Sequence, residues 1–172
     1  MTGERQSRSL ASSPPANSVA DPHSGSAADP VDPIDPNAMA KLIAEVPDKD
    51  LEALMASDQR DNVLGEIFRR FAEHFRPERA SGLDAVVHFK ILDRPGGGYD
   101  HYELLIADGA LTVVDPPERE PTVTLKIRPV DFLKLVTNNA NGPMLFLRGR
   151  LKIDGDLMLA SRLTGLFTIP GG

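Results

Sequence analysis

The stretch Phe146–Phe167, FLRGRLKIDGDLMLASRLTGLF, decides how the rest of the chain is read. Arg150, Leu151, Lys152 and Ile153 alternate charged and apolar, which is the period of a half-buried strand. Asp154-Gly155 predicts a turn, and Asp156 is placed to cap a helix by accepting a backbone N–H. Along that helix Leu157, Met158, Leu159, Ala160, Leu163, Leu166 and Phe167 are apolar, and only Ser161, Arg162 and Thr164 are clearly polar. A helix that lays one stripe on a sheet needs a narrower apolar face than this. Something must cover the surplus, and a bound apolar molecule is one candidate.

Upstream, the pattern predicts helices, then strands, then a further helix. Ala38 to Glu45 fits one or two helical turns closed by Pro47, and Asp48 is a candidate cap for a second helix carrying Leu51, Leu54 and Met55. Ser57 or Asp58 is a candidate cap for a third, whose Leu64, Ile67, Phe68, Phe71 and Phe75 follow an amphipathic stripe ended by Pro77. Arg69, Arg70, Arg76 and Arg79 gather near its end, either complementing the helix dipole or forming a basic patch for anionic headgroups. Ala85, Val87, Phe89 and Ile91 then alternate with Val86, His88, Lys90 and Leu92; Tyr102, Leu104 and Ile106 alternate with His101, Glu103 and Leu105. Asp108-Gly109 is a two-residue hairpin signal into Leu111 to Val114, and Val123, Leu125 and Ile127 mark a fourth strand. Pro129 suits the first turn of a helix carrying Phe132, Leu133 and Val136, which Asn138 to Pro143 breaks. Helices before and after a mostly antiparallel meander predict an α+β fold: a five-stranded sheet with helices packed on one face.

The terminal segment resembles the C-terminal signature of the sterol carrier protein 2 family of small lipid-binding domains. The residues that carry the resemblance are Phe146, Gly149-Arg150-Leu151-Lys152-Ile153, Gly155-Asp156 and Leu159-Ala160-Ser161-Arg162-Leu163. It continues upstream through the strands from Leu83 and the helix from Pro129 to Asn138, so spacing and residue type agree across strand, turn and helix together. The resemblance implies an apolar cavity between sheet and C-terminal helix. By periodicity Phe71, Phe75, Phe89, Leu104, Phe132, Met144, Phe146, Leu159, Leu163 and Phe167 all face one interior. For most of them an ordinary packed core is the plainer expectation. The family implies instead that a subset lines a tunnel for a sterol, fatty acid or fatty acyl-CoA, and Met144 and Met158 suit it because unbranched thioether chains adapt to varied shapes. Eukaryotic members often end in a peroxisomal targeting tripeptide; this sequence ends Ile169-Pro170-Gly171-Gly172, so peroxisomal import is not implied, and the absence of Cys fits the cytoplasmic location expected.

Composition sets the outer limits. A chain of 172 residues fits one domain plus extensions, expected here as a tail over 1–36 and a lipid-binding domain over 37–172, with helices in 37–78 and sheet and C-terminal helix in 82–168. The tail is rich in Ser, Ala, Pro and Asp, contains no Phe, Tyr or Trp, and repeats Asp-Pro at positions 21, 29, 32 and 35. It cannot bury enough apolar surface to offset its ordering entropy, so it is expected to be disordered, a solubilising segment or a docking site for a protein partner. There is no Cys, which removes disulfides, thiolate metal sites and cysteine nucleophiles. The net charge of -6 disfavours nucleic acid and offers no broad attraction to anionic membranes. No apolar run approaches the ~20 residues that span a bilayer, so stable membrane insertion is not expected.

No catalytic constellation emerges. His88 with Lys90 and His101 with Glu103 lie on the polar faces of neighbouring strands and are expected as an exposed cross-strand pair, with no third metal ligand in the spacing. Gly96-Gly97-Gly98 lacks the Lys-Ser/Thr of a phosphate loop, and Asp154-Gly155-Asp156 lacks the distal Glu of a calcium loop. Ser161 sits in a helix without an evident base, and no Gly-x-Ser-x-Gly is present. The expectation is therefore a non-enzymatic carrier with no cofactor and no metal. The rival is an adaptor or an accessory subunit of a lipid-metabolising or biosynthetic complex, working through its tail or its arginine-rich helix.

Overall fold

A computed structural model describes residues 36–168. The tail expected over 1–36 therefore lies outside the described residues, apart from Pro36, which opens the first helix. Three helices come first: α1 (Pro36–Glu45), α2 (Asp48–Met55) and α3 (Arg60–Glu73). The expected caps shift by a residue or more. Pro47 precedes α2, leaving Asp48 and Asp50 to place negative charge in its first turn. Gln59 precedes α3 with no side-chain cap, because the Ser57 hydroxyl accepts instead from the Gln59 N–H at 3.2 Å. Helix α3 ends at Glu73, so Phe75 lies beyond it, in an antiparallel bridge with Phe167.

The sheet comprises β1 (Ala85–Ile91), β2 (Asp100–Ala107), β3 (Ala110–Val114), β4 (Val123–Ile127) and β5 (Leu151–Gly155), in the order β3-β2-β1-β4-β5. The first three strands are the expected meander, and the β2–β3 turn has positive φ at both Asp108 and Gly109, the mark of a type I′ hairpin. The meander stops there. The link from β3 carries the chain past β2, so β4 pairs with β1 in parallel while the other three pairings are antiparallel. The hairpin signal fixes β2 against β3, but no local signal fixes where a strand lands after a longer connection.

Three further helices follow among the described residues, two before β5 and one after it. Helix α4 (Pro129–Val136) opens on its proline as expected, whereas α5 (Gly142–Leu147) forms where the sequence predicted a break and a short turn. Asn141 explains it, accepting from the Met144 N–H at 3.1 Å as an N-cap. The turn expected at Asp154-Gly155 is still strand. Gly155 pairs with Val123 at φ 103°, where a Cβ would stand 2.5 Å from the Thr122 carbonyl oxygen, so only glycine fits. Asp156 caps α6 (Leu157–Leu163), accepting from the Leu159 N–H at 3.0 Å, and a 3₁₀ turn over Thr164–Leu166 follows.

The alternation read from the sequence places Val87, Phe89 and Ile91 of β1, Leu104 and Ile106 of β2, and Leu125 and Ile127 of β4 on one buried face. Phe68 of α3 and Phe132 of α4 pack against Phe89 there, with Leu159, Leu163 and Leu166 in the same core. The opposite face carries His88, Lys90, His101, Glu103, Thr124 and Lys126.

Candidate functional site

The interior between sheet and helices is built on aromatic rings. Phe68 stacks on Tyr102 at 4.0 Å between centroids and on Phe132 at 5.4 Å, and meets Phe89 edge-on at 5.6 Å. Offset and edge-on geometries are those that ring quadrupoles favour. Burial raises the Tyr102 phenol to about 12, with Asp115 and Asp100 acting the same way, so the ring stays neutral. The rings thin out toward the C-terminal segment. Phe71 meets Phe167 edge-on at 4.9 Å, and Phe75 lies 6.0 Å from Phe167. Backbone bonds pin that margin: the Arg76 N–H donates to the Leu166 carbonyl at 2.8 Å, and the Thr168 N–H to the His74 carbonyl at 2.8 Å.

The residues expected to face one interior divide into three groups. Leu104 and Phe132 are fully buried, and Phe89, Leu159 and Leu163 nearly so. Phe71, Phe75 and Phe167 are half-buried against the core. Met144, Phe146 and Met158 are exposed by 45%, 42% and 76%, so these three do not join the interior in this conformation. The reason is local. The unexpected α5 buries Leu145 and turns its neighbours outward, and α6 buries Leu159 while Met158 points away from the sheet. An open hollow of about 560 Å³ lies elsewhere, beside the β2–β3 turn, and Glu78, Asp84 and Asp108 in its lining suit it poorly to an acyl chain.

The sequence also underestimated the polar residues. Glu103 is fully buried and His88 is 5% exposed, against the expectation of an exposed cross-strand pair. The link after β3 folds over them: Glu103 accepts from the Glu118 and Arg119 N–H groups at 2.7 and 2.8 Å and from the Arg119 guanidinium at 2.8 Å. Burial acts to raise the Glu103 pKa, but the Arg119 and Glu118 donors together outweigh it and hold the carboxyl below its ordinary range. Nδ1 of His88 and Nε2 of His101 are 2.9 Å apart, and Nε2 of His88 lies 3.6 Å from Glu103 without a hydrogen bond. Burial, then the neighbouring His88 and Lys90, lowers the His101 pKa. Among the described residues no three His, Asp or Glu side chains converge to hold a metal ion.

Arg60 was missed altogether. It is buried at the start of α3, ion-paired with Asp100 at 2.6 Å and donating to the carbonyls of Met55, Ile91, Leu92 and Asp93. A lone arginine ahead of an apolar stripe gives no signal of that role. The basic cluster near the end of α3 is largely engaged: Arg69 and Arg70 pair with Glu66, whose carboxyl they hold at about 2, and Arg76 pairs with Glu78.

The described residues form an α+β domain whose aromatic interior is closed by a C-terminal helix. The profile of the SCP-2 sterol transfer family matches residues 64–168, and the chain belongs to that family. It is similar to the oleate-induced peroxisomal protein POX18 of Candida maltosa, 30% identical over 59% of this chain and 81% of that protein. It is also similar to sterol carrier protein 2 of Homo sapiens, 30% identical over 70% of this chain but spanning only 23% of the human protein. Among solved structures, the apo form of sterol carrier protein 2 from Yarrowia lipolytica shares the fold, with a TM-score of 0.51 and 20% identity over 66% of this chain and 94% of that one. No helix among the described residues is long and apolar enough to cross a membrane.

Proposed function

We propose that this domain carries a sterol, fatty acid or fatty acyl-CoA in the cytoplasm without catalysing a reaction. The observation that carries the reading is the half-covered apolar margin where α3 ends against the C-terminal segment. Phe71, Phe75 and Phe167 meet there, packed on the core yet partly open. Apolar cargo entering there replaces solvent contact without breaking a polar network. Each methylene buried contributes ~0.8 kcal/mol, so a long acyl chain reaches micromolar affinity without a charged anchor. Admission requires α6 to shift, and the two backbone bonds joining residues 74–76 to residues 166–168 are the natural hinge. Of the expected lining residues, Phe71, Phe75, Phe89, Leu159, Leu163 and Phe167 belong to this route, with Leu104 and Phe132 as its floor.

The test is native mass spectrometry of the purified chain, followed by titration with a fluorescent fatty acid. Copurifying lipid and saturable binding are expected. Ala160→Phe, at a half-buried position of α6, should lower affinity about ten-fold or more while leaving the thermal midpoint within a few degrees. Loss of stability with no ligand ever detected would mean that the margin is ordinary core.

A further inference from the structure

The face of the sheet turned away from the apolar interior carries a row of cations that the fold does not explain. Strand register sets Lys90 of β1 directly opposite Lys126 of β4, and Lys126 opposite Lys152 of β5, with His101 of β2 heading the same row. Neighbouring strands lie about 4.8 Å apart, so the three lysine backbones span about 10 Å across the sheet. Like charges placed directly opposite each other on a sheet are destabilising. The chain as a whole carries a charge of -6, so this row also runs against the average.

One carboxylate stands among the three. Asp154, exposed on β5, is ion-paired with Lys126 at 2.7 Å. The hydrogen bond and charge of Lys126, and then the charges of Lys90 and Lys152, hold the Asp154 carboxyl below its ordinary range. All three ammonium groups are therefore close enough to act on one point. Tyr99 steadies the first of them, with the Lys90 ammonium 4.7 Å from its ring centroid. Neither Lys90 nor Lys152 has an ion-pair partner among the described residues, so three positive charges are met by a single negative one.

We infer that the row Lys90–Lys126–Lys152 is a site for the di- or triphosphate group of a soluble molecule, with the Asp154 carboxylate standing where a phosphate oxygen would lie. Linked phosphates present anionic oxygens one after another, and each lysine binds such an oxygen as a point charge. A single carboxylate answers only one of the three. A flat anionic bilayer suits this face poorly, because the link after β3 folds over its neighbouring part and exposes Glu118 and Glu120 there. Nucleic acid presents a long run of phosphates, which the net charge of -6 repels beyond these three lysines. The row lies on the opposite side of the sheet from the aromatic interior, so the inference goes beyond the carrier reading and stands or falls without it.

The experiment is calorimetric titration of the full chain at low salt, without divalent metal ions, using inorganic tripolyphosphate and ATP as separate probes. Saturable binding is expected, falling steeply as salt shortens the Debye length. Binding of tripolyphosphate alone makes the source inorganic, and binding of ATP alone makes it a nucleotide. K90Q/K152Q should weaken binding by about ten-fold or more, whereas D154N, which releases Lys126, should strengthen it about three-fold or more. Lys49→Gln on exposed α2 should change nothing. Because K90Q/K152Q removes like charges that face one another, its thermal midpoint should stay within a few degrees of the unaltered chain. Should that variant melt early, Lys152→Glu at a fully solvated position keeps the test, and it too should weaken binding. Fatty acid uptake should be the same in every variant. Failure of the unaltered chain to bind either probe overturns the site and leaves the carrier reading standing. Binding that the lysine variants leave unchanged, or that D154N weakens, overturns it as well.

Discussion

The ring cluster around Phe68 and the α5–β5–α6 edge draw on comparably apolar sequence, yet the fold treats them differently. In the first region the side chains of α3, α4, β1 and β2 converge, and Phe68, Phe132 and Leu104 are sealed from water. In the second, β5 is an edge strand with one neighbour, so each flanking helix has one surface to lie on and keeps part of its apolar set bare. Apolar content alone therefore does not say what a residue touches; the number of elements that converge on it does. The filled region holds the domain together, and the bare one leaves apolar side chains in solvent.

The largest expected effect lies in the filled region. Phe68→Ala removes the ring that touches Tyr102, Phe132 and Phe89 at once, in a site with no room to collapse. Stability measured by urea unfolding should fall by about 3–5 kcal/mol. A loss under about 1 kcal/mol would mean that the interior is loosely packed and that the contrast with the edge is false.

The polar side of the sheet gives a second, smaller effect that depends on pH. His101 has its pKa lowered in the folded chain, so the unfolded chain takes up that proton first, and stability falls as pH drops through the ordinary histidine value of 6.5. Glu103 is also lowered, so the same logic adds a second loss as pH falls below the ordinary carboxylate value of 4.5. The stability contributed by both groups is present at neutral pH and lost in acid. Unfolding free energies across this range should show two declining segments. His101→Gln should flatten the upper segment and leave the lower one in place. A profile that is flat down to the carboxylate range would show that the covering link after β3 does not exclude water from the histidines.

Much of this architecture was legible in the sequence because its signals are local. The alternation of β1 and β2, the Asp108-Gly109 hairpin, the Asp156 cap and the proline opening α4 each depend on a few neighbouring residues, and each is present in the structure. What was not legible depends on distant chain. The parallel placement of β4 beside β1 is decided by how a connection crosses the sheet. The burial of Glu103 is decided by residues 118 and 119, and that of Arg60 by Asp100 and carbonyls some 30 residues away. Periodicity placed Met144 and Phe146 in the interior because it reports which face a residue occupies, not whether a neighbouring element arrives to cover it, and Met158 was expected there only through the family resemblance. The apolar surplus read in the terminal helix is real, and it sits at Leu157 and Met158.

The smallest expected effect is the sharpest test of the comparison, because it contrasts two adjacent residues of one helix. Met158 is 76% exposed and Leu159 is 4% exposed. Met158→Ser should change stability by no more than about 0.5 kcal/mol, as surface substitutions do, whereas Leu159→Ser should cost about 2–5 kcal/mol through the cavity and the buried hydroxyl. Urea midpoints of the two variants, measured side by side, decide it. If Met158→Ser proves as costly as its neighbour, the side chain is covered in the native molecule and the edge is closed like the interior. If it is neutral, the thioether contributes nothing to folding, and the edge is open to solvent where the interior one residue further on is closed.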